Sequence, residues 1–483
     1  MTSTRQKSDI CGLFEQAVRH ATRFRDAIPS RAPRSTASAE ELHIAFSAPT
    51  PEEGSDPRQV LDNLVMAAEP GLMGMAGGRF FGWVIGASHP VGVAADWMAS
   101  AWGQNAGNYH ASPAAAMAEK ESARWLLDIL QLPSECSVGF VTGATMANFT
   151  CLAAARSEVL CRVGWDVEND GLTGAPPVTV FASADAHATV FNALQYLGLG
   201  RRRVILIETD ENGRMDAGHL ARELAKTAGP KIVVAQAGQI NTGAFDPFED
   251  IVSACRACGA WLHVDGAFGL WANCSPALTD MCRGIERADS WATDGHKWLQ
   301  LPYDSGFAIV RHPHAHRRAM NIAASYLPKT EGPQYEPSQY VPELSRRARG
   351  FATWAVLKAL GRTGIRSMVE RHCRFATTLA RRLSSVPGIH VENTVSLNQV
   401  IVSFGTSEDT QLRDRLTRDV IRYVQRRNRV FVEGGSWRGR WVLRVSVISC
   451  PTTEGDMDLL GTEIIASWQE VQRNEENTRL LSA

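Results

Sequence analysis

Between Val138 and Val310, short and nearly continuous apolar runs alternate with helical patterns, and this alternation restricts the possible fold more than any other feature of the chain. Strands are expected over 178–182, 204–207, 232–237, 261–265, 290–293 and 307–310, and helices over 145–159, 188–197, 217–228 and 248–258. Strands that are apolar on both faces must be covered on both faces, which predicts a mostly parallel sheet with helices on each side. In sheets of that kind, ligands bind beyond the carboxyl ends of the strands. Chemistry is therefore sought where these runs end.

A chain of 483 residues has room for one large unit and a smaller one. Its 50 basic and 51 acidic side chains leave a net charge of −1, which argues against a general affinity for nucleic acid or anionic membrane. The opening MTSTRQKSDI lacks a signal-peptide pattern, and no apolar run is long enough to span a bilayer, so a soluble, cytoplasmic protein is expected. The ten cysteines are scattered and do not read as a disulfide framework. Cys255 and Cys258 have CxxC spacing inside a helical run but lack a second pair, so neither metal nor redox use is expected of them.

Three units are expected. Residues 1–76 form an N-terminal helical arm and dimerisation segment: a helical pattern over 10–30, an extended Pro/Ser/Ala-rich stretch over 29–54, and a helix that starts on Asp56 and Pro57 and runs to Ala68. Residues 77–364 form the large α/β unit, including a helix over 114–130. Residues 365–483 form a small α+β unit, with strands over 399–404, 430–433 and 441–447 and a final helix. The arginine cluster 346–349 reads as a solvated face.

Polar residues gather at the predicted strand ends. Gly143, Ala144 and Thr145 open a helix, so the N–H groups of Ala144 and Thr145 and the Thr145 hydroxyl can surround an anion. This turn lacks the glycine spacing of a dinucleotide fingerprint and the Lys-Ser/Thr of a P-loop. Asp265 ends the run WLHVD and is either a buried acid in need of a cationic partner or an N-cap. His187 stands at another strand-to-helix junction, as a ring-stacking imidazole or as an ordinary histidine at a helix start. His296 and Lys297 lie among apolar and aromatic residues, where burial favours a free, nucleophilic amine. Together these are the parts needed to hold pyridoxal phosphate: an anion cradle, a flat imidazole, an acid for the ring nitrogen and an amine for the aldehyde. Phe80, Phe81 and Trp83, set between glycines, are either a buried turn and short strand or an aromatic pocket wall; with Tyr109 they tilt the substrate toward an aromatic or bulky side chain. Arg444 is either a carboxylate-binding residue or a structural ion pair.

The segments GATMANFTCLAAAR, SADAHATV, NTGAFDP, WLHVDGAFG, ATDGHKWLQLPYDSG and SRRARGF resemble, in order, those of the pyridoxal-phosphate-dependent amino-acid decarboxylases of the aromatic-L-amino-acid and glutamate group. The resemblance runs from about Arg79 to the C-terminus. It implies the aspartate-aminotransferase-like (type I) fold, a homodimer with sites at the subunit interface, and an arm that embraces the partner. It implies that Lys297 is the Schiff-base lysine, Asp265 the partner of the ring nitrogen, His187 the stacking residue and Ala267 the small residue on the other face. Gly143, Ala144, Thr145 and His296 match positions around the phosphate, and Asn241 falls in a cofactor-binding segment. Because it includes SRRARGF, the resemblance implies that the arginine cluster 346–349 lines the site instead of a solvated face. Tyr326 matches a mobile-loop tyrosine that protonates the substrate carbon after carbon dioxide leaves. The implied reaction converts an L-amino acid to its amine; an aldehyde synthase, a transaminase and a non-catalytic paralogue are the alternatives. Met146, Gln239-Ile240 and Asp294 depart from the common pattern, and Asp294 places a carboxylate where asparagine is usual.

Overall fold

The computed structural model describes residues 3–321 and 335–482. Helices α1 (Ser3–Ala27), α2 (Ala39–Phe46) and α3 (Pro57–Ala68) lead the chain. Helix α3 begins as its sequence dictates: Asp56 accepts the N–H groups of Arg58 and Gln59, and Pro57 fills the first position. The stretch 29–54, expected to be extended, contains α2 instead. There Ser38 accepts the Glu41 N–H while the Glu41 carboxylate accepts the Ser38 N–H, and this reciprocal cap starts a helix that composition alone concealed. Helices α4 (Pro90–Trp102) and α5 (Pro113–Ile129) follow.

The large sheet contains β1 (Ser137–Val141), β2 (Thr179–Ser183), β3 (Ile205–Ile207), β4 (Lys231–Gln236), β5 (Trp261–Asp265), β6 (Ser290–Asp294) and β7 (Gly306–Val310). Among these strands run α6 (Ala144–Cys161), α7 (Val167–Asp170), α8 (Ala188–Tyr196), α9 (Ala217–Lys226) and α10 (Phe248–Ala257), and α11 (Pro313–Met320) follows β7. The spatial order is β1-β7-β6-β5-β4-β2-β3. From β3 to β6 all pairings are parallel, while β7 runs antiparallel to both of its neighbours. Gln236 is the register partner of Asp265, and Asp265 that of Ala292, so the carboxyl ends of β4, β5 and β6 lie level. One core, with Trp271, Trp291 and Trp298, packs on one face of the sheet; a second, with Cys151, Leu152 and Leu194 from α6 and α8, packs on the other. This is the two-sided burial that the apolar runs require.

Helix α12 (Arg349–Ser384) breaks at Gly361, where φ is 60° and ψ 175°. Beyond it come β8 (Ile389–Val391), β9 (Gln399–Phe404), α13 (Thr410–Arg427), β10 (Glu433–Trp437), β11 (Arg440–Ser446) and α14 (Glu454–Ser482). The four strands form an antiparallel sheet with its own core. A strand expected over 430–433 begins only at Glu433, because Phe431 pairs with the early segment instead: its N–H donates to Arg79 O, and its carbonyl accepts the Phe81 N–H. Arg346, expected on a solvated face or a site wall, is a buried partner of Glu119, with Nη1 and Nη2 2.8 and 2.7 Å from the two carboxylate oxygens. Among the described residues no helix is long and apolar enough to cross a membrane.

Candidate active site

A cavity of about 310 Å³ opens at the carboxyl ends of β4, β5 and β6, beside the start of α6. Gly143, Ala144, Thr145, His187, Asp265, Ala267, His296 and Lys297 all line it, so residues spread over 155 positions of sequence converge on one space. Gln236, Phe268 and Asp294 complete much of the wall.

Asp265 is 4 % exposed, and its Oδ1 accepts the Ala267 N–H at 3.2 Å. Burial raises its pKa, while His187 and Lys297 pull it back. His187 caps α8, where its Nδ1 is 2.8 Å from Thr189 Oγ1 and accepts the Thr189 N–H. His187 thus starts a helix and also lines the cavity. Burial lowers its pKa and favours the neutral ring.

Lys297 does not stand alone among apolar groups, as the sequence suggested. Its Nζ is 2.9 Å from Asp294 Oδ2, in a pair whose side chains are 18 % and 3 % exposed. Asp294 Oδ1 also accepts the Ala144 N–H and lies 3.3 Å from His296 Nε2. Since His296 Nδ1 accepts the Ser305 N–H, its proton is on Nε2, the nitrogen nearer Asp294. Burial lowers the pKa of His296, and its ring stacks on Tyr303 with centroids 4.3 Å apart. The uncommon carboxylate at 294 thus holds together the helix start, the histidine and the lysine.

Close backbone approaches fix this arrangement. A Cβ on Gly143 would lie 2.9 Å from His296 Cε1, and one on Gly306 would lie 2.5 Å from Gly143 Cα. A Cβ on Gly86 would sit 2.1 Å from the Lys297 carbonyl oxygen. The glycine-aromatic stretch 77–86 is therefore the backing of the lysine segment. Phe80 and Phe81 are each 1 % exposed and do not line the cavity: Phe80 stacks on Phe431 with centroids 4.6 Å apart, and Phe81 packs in the core of the small sheet. Trp83 is 42 % exposed, at φ 53°, and Tyr109 donates its N–H to Glu336; neither joins the cavity wall.

Asn241 adjoins the lining residue Ile240 and donates its N–H to Gln239 Oε1, which also accepts the Thr242 N–H. Gln239 thus organises the turn in which it replaces a more usual threonine. Arg444 donates from Nη2 to Ile240 O at 2.7 Å, its buried Nε has no partner among the described residues, and burial lowers its pKa. Among the described residues it forms no ion pair, and it is not one of the residues that line the cavity. Tyr326 lies outside the described residues. Sequence reasoning missed Gln236, whose amide nitrogen is buried at the cavity with no partner among the described residues, and also Asn148 and His263 behind Asp265. Periodicity could have found the last two. Asn148 is four residues past Ala144 on one helix face, and His263 is two before Asp265 on one strand face.

The family profile described as pyridoxal-dependent decarboxylase conserved domain matches residues 40–405. The aromatic-L-amino-acid decarboxylase of Bacillus atrophaeus is 27 % identical over 95 % of this chain and 95 % of its own. The acidic amino acid decarboxylase of Xenopus tropicalis is 29 % identical over 65 % of this chain and 62 % of its own. The crystal structure of Oryza sativa TDC with PLP and tryptamine superposes with a TM-score of 0.87 at 21 % identity, covering 98 % of each chain.

Proposed function

Because the chain belongs to the pyridoxal-dependent decarboxylase family, we propose that it removes the carboxylate of an L-amino acid as carbon dioxide and releases the amine. The observation that carries this reading is the convergence of Lys297, Asp265, His187 and the start of α6 on one cavity.

The residues present fit pyridoxal phosphate. The cavity offers helix-start N–H groups and a hydroxyl at Thr145, an acid at Asp265, a flat ring at His187, a small wall at Ala267 and a primary amine at Lys297. The buried Gln236 amide, without a partner among the described residues, adds a donor that a polar ligand would satisfy. Lys297 would hold the cofactor's aldehyde, Asp265 its ring nitrogen, and Gly143, Ala144, Thr145 and His296 its phosphate, with Asn241 shaping the neighbouring turn. When bound, the cofactor supplies an electron sink for the bond broken at the substrate's α-carbon.

The protein's own share is placement and proton control. Asp265 keeps a positive partner by remaining ionised in a dry site. Lys297 has Asp294 beside its Nζ, so a carboxylate would be at hand to hold the charge of the amine whenever it is not engaged with the cofactor. Tyr326, by its interval beyond Lys297, is assigned to deliver the proton to the α-carbon.

We assign the substrate to the aromatic or bulky L-amino acids. Support comes from the Bacillus relative, which aligns along almost the whole chain and is named for aromatic amino acids. Phe80, Phe81, Trp83 and Tyr109 do not contribute to that support, since they lie off the cavity wall. We assign 1–76 to dimerisation, 77–364 to the cofactor and 365–483 to a covering unit, and we take the enzyme to be a cytoplasmic homodimer. The ten free thiols suit a reducing compartment. An apolar groove formed by Met98, Trp102, Met117, Phe351 and Trp354 suits a second copy of the chain.

The test is to incubate the purified protein with a panel of L-amino acids, follow carbon dioxide and identify the organic product by mass. Amine from an aromatic substrate is the expected result. Aldehyde with peroxide and ammonia, or a keto acid, would replace the proposed outcome with another of the family's chemistries.

A further inference from the structure

Behind Asp265 a file of buried polar groups leads away from the cavity. Trp261 Nε1 is 2.9 Å from Ser290 Oγ, and Ser290 Oγ is 2.9 Å from His263 Nδ1. His263 Nε2 is 2.8 Å from Asn148 Oδ1, and Asn148 Nδ2 is 3.3 Å from Asp265 Oδ2. Trp261, Ser290, His263 and Asn148 are completely buried. His263 and Ser290 are register partners on β5 and β6, and Asn148 reaches them from α6.

The direction of each bond follows from the chemistry at the two ends. An indole N–H only donates, so Ser290 Oγ accepts from Trp261 and turns its own hydrogen to His263 Nδ1. The His263 proton is then on Nε2 and is donated to Asn148 Oδ1. The Asn148 amide is left to donate to Asp265. Reversing the file would give up the imidazole acceptor of the Ser290 hydrogen and leave it only the weakly accepting Cys151 Sγ beside it. It would also require a proton on Asp265 to satisfy Asn148.

All four bonds therefore point at the carboxylate. Burial keeps the His263 ring neutral, with its pKa down to about 3, so a single tautomer serves both neighbours. Hydrogen bonds aligned head to tail in a low-dielectric interior polarise one another, and their combined field favours the anion at the receiving end. From the cavity side Asp265 is faced by His187 at the start of α8 and by Lys297 after β6.

We infer that Trp261, Ser290, His263 and Asn148 are positioning residues that hold Asp265 ionised and so keep the ring nitrogen of bound pyridoxal phosphate protonated. The inference rests on the proposed pairing of Asp265 with that nitrogen.

The test uses holoenzyme loaded with pyridoxal phosphate carrying nitrogen-15 in its ring, read by NMR at neutral pH. Wild type is expected to show a protonated ring nitrogen. His263→Phe keeps the bulk and removes both ring nitrogens; its signal should move toward the unprotonated position, and cofactor retention should weaken about tenfold. His263→Gln, which keeps a donor and an acceptor, should return the signal to the wild-type position, which a merely space-filling role would not require. Ser290→Ala should give a smaller shift in the same direction, and it carries the test if His263→Phe does not fold. In wild-type protein with labelled histidine, His263 should be the Nε2–H tautomer.

An Nδ1–H tautomer overturns the inference, as does a ring nitrogen equally protonated in wild type, His263→Phe and Ser290→Ala. A wild-type protein that takes up no pyridoxal phosphate, or holds it with an unprotonated ring nitrogen, overturns the functional reading of Asp265 first and the relay with it.

Discussion

Asp294 meets the Ala144 N–H, His296 Nε2 and Lys297 Nζ, and so supplies a negative charge where the proposed cofactor would bring its own. An anion entering the cradle has to compete with that carboxylate for the same donors. Asp294→Asn removes the competing charge and keeps the size. Cofactor-free Asp294→Asn is expected to take up pyridoxal phosphate about tenfold more tightly than wild type, since little solvent screens a site this buried. Absorbance titration measures this, and equal or weaker uptake would count against competition. At Tyr326 the expectation is chemical: Tyr326→Phe should lose amine and gain aldehyde, as read by product mass. Lys297, Asp265 and His187 were legible as residues of one cavity because Asp265 ends β5 and the other two closely follow β6 and β2, and strand ends are what an alternating pattern marks best. Phe80 and Phe81 were not, because a short apolar run does not say which neighbour its side chains meet.

Among the elements, the segment after β6 is tied down from two sides. Gly86 lies against the Lys297 carbonyl, and Trp298 donates its indole N–H to His372 Nδ1 on α12 at 3.0 Å. Gly86→Ala must push the lysine segment away and is expected to cost about 1–3 kcal/mol, with a parallel loss of cofactor retention. Denaturant titration with and without cofactor measures both. His372 gives a test by pH. Its folded pKa is lowered by burial to about 3 from 6.5, so the folded ring stays neutral while the unfolded ring gains a proton below 6.5. Its contribution is complete above that value and is lost as pH falls toward 3. The stability difference between wild type and His372→Asn should therefore shrink by about 1.4 kcal/mol per pH unit across that window and stay constant above it. A flat difference would mean that the ring titrates normally in the fold. Most strands and helices of the large sheet were readable to within a residue or two, since burial on both faces leaves a plain apolar signature. Helix α2 escaped because its signal is the Ser38–Glu41 cap and not a periodic stripe.

At the scale of the whole molecule, exposed apolar surface has to be explained. Ile10, Phe14 and Val18 on α1 are 51, 55 and 46 % exposed, and Trp102 and Trp354 in the groove are 49 and 42 % exposed. Such surface suits the proposed second subunit. Sedimentation should find a dimer, and Trp102→Glu with Trp354→Glu should shift it toward monomer; a wild-type monomer at micromolar concentration would remove the interface from the proposal.

The stretch from Arg79 to Gly86 has one further consequence. At one end it is hydrogen-bonded to Phe431 and, through Phe81 O, to Ser446 of the small sheet; at the other it lies on the Lys297 backbone. It is a strut between two bodies that a parts list would treat as separable. The C-terminal unit could therefore not be exchanged for a relative's, or tuned on its own by directed evolution, without resetting the height of the lysine in its pocket.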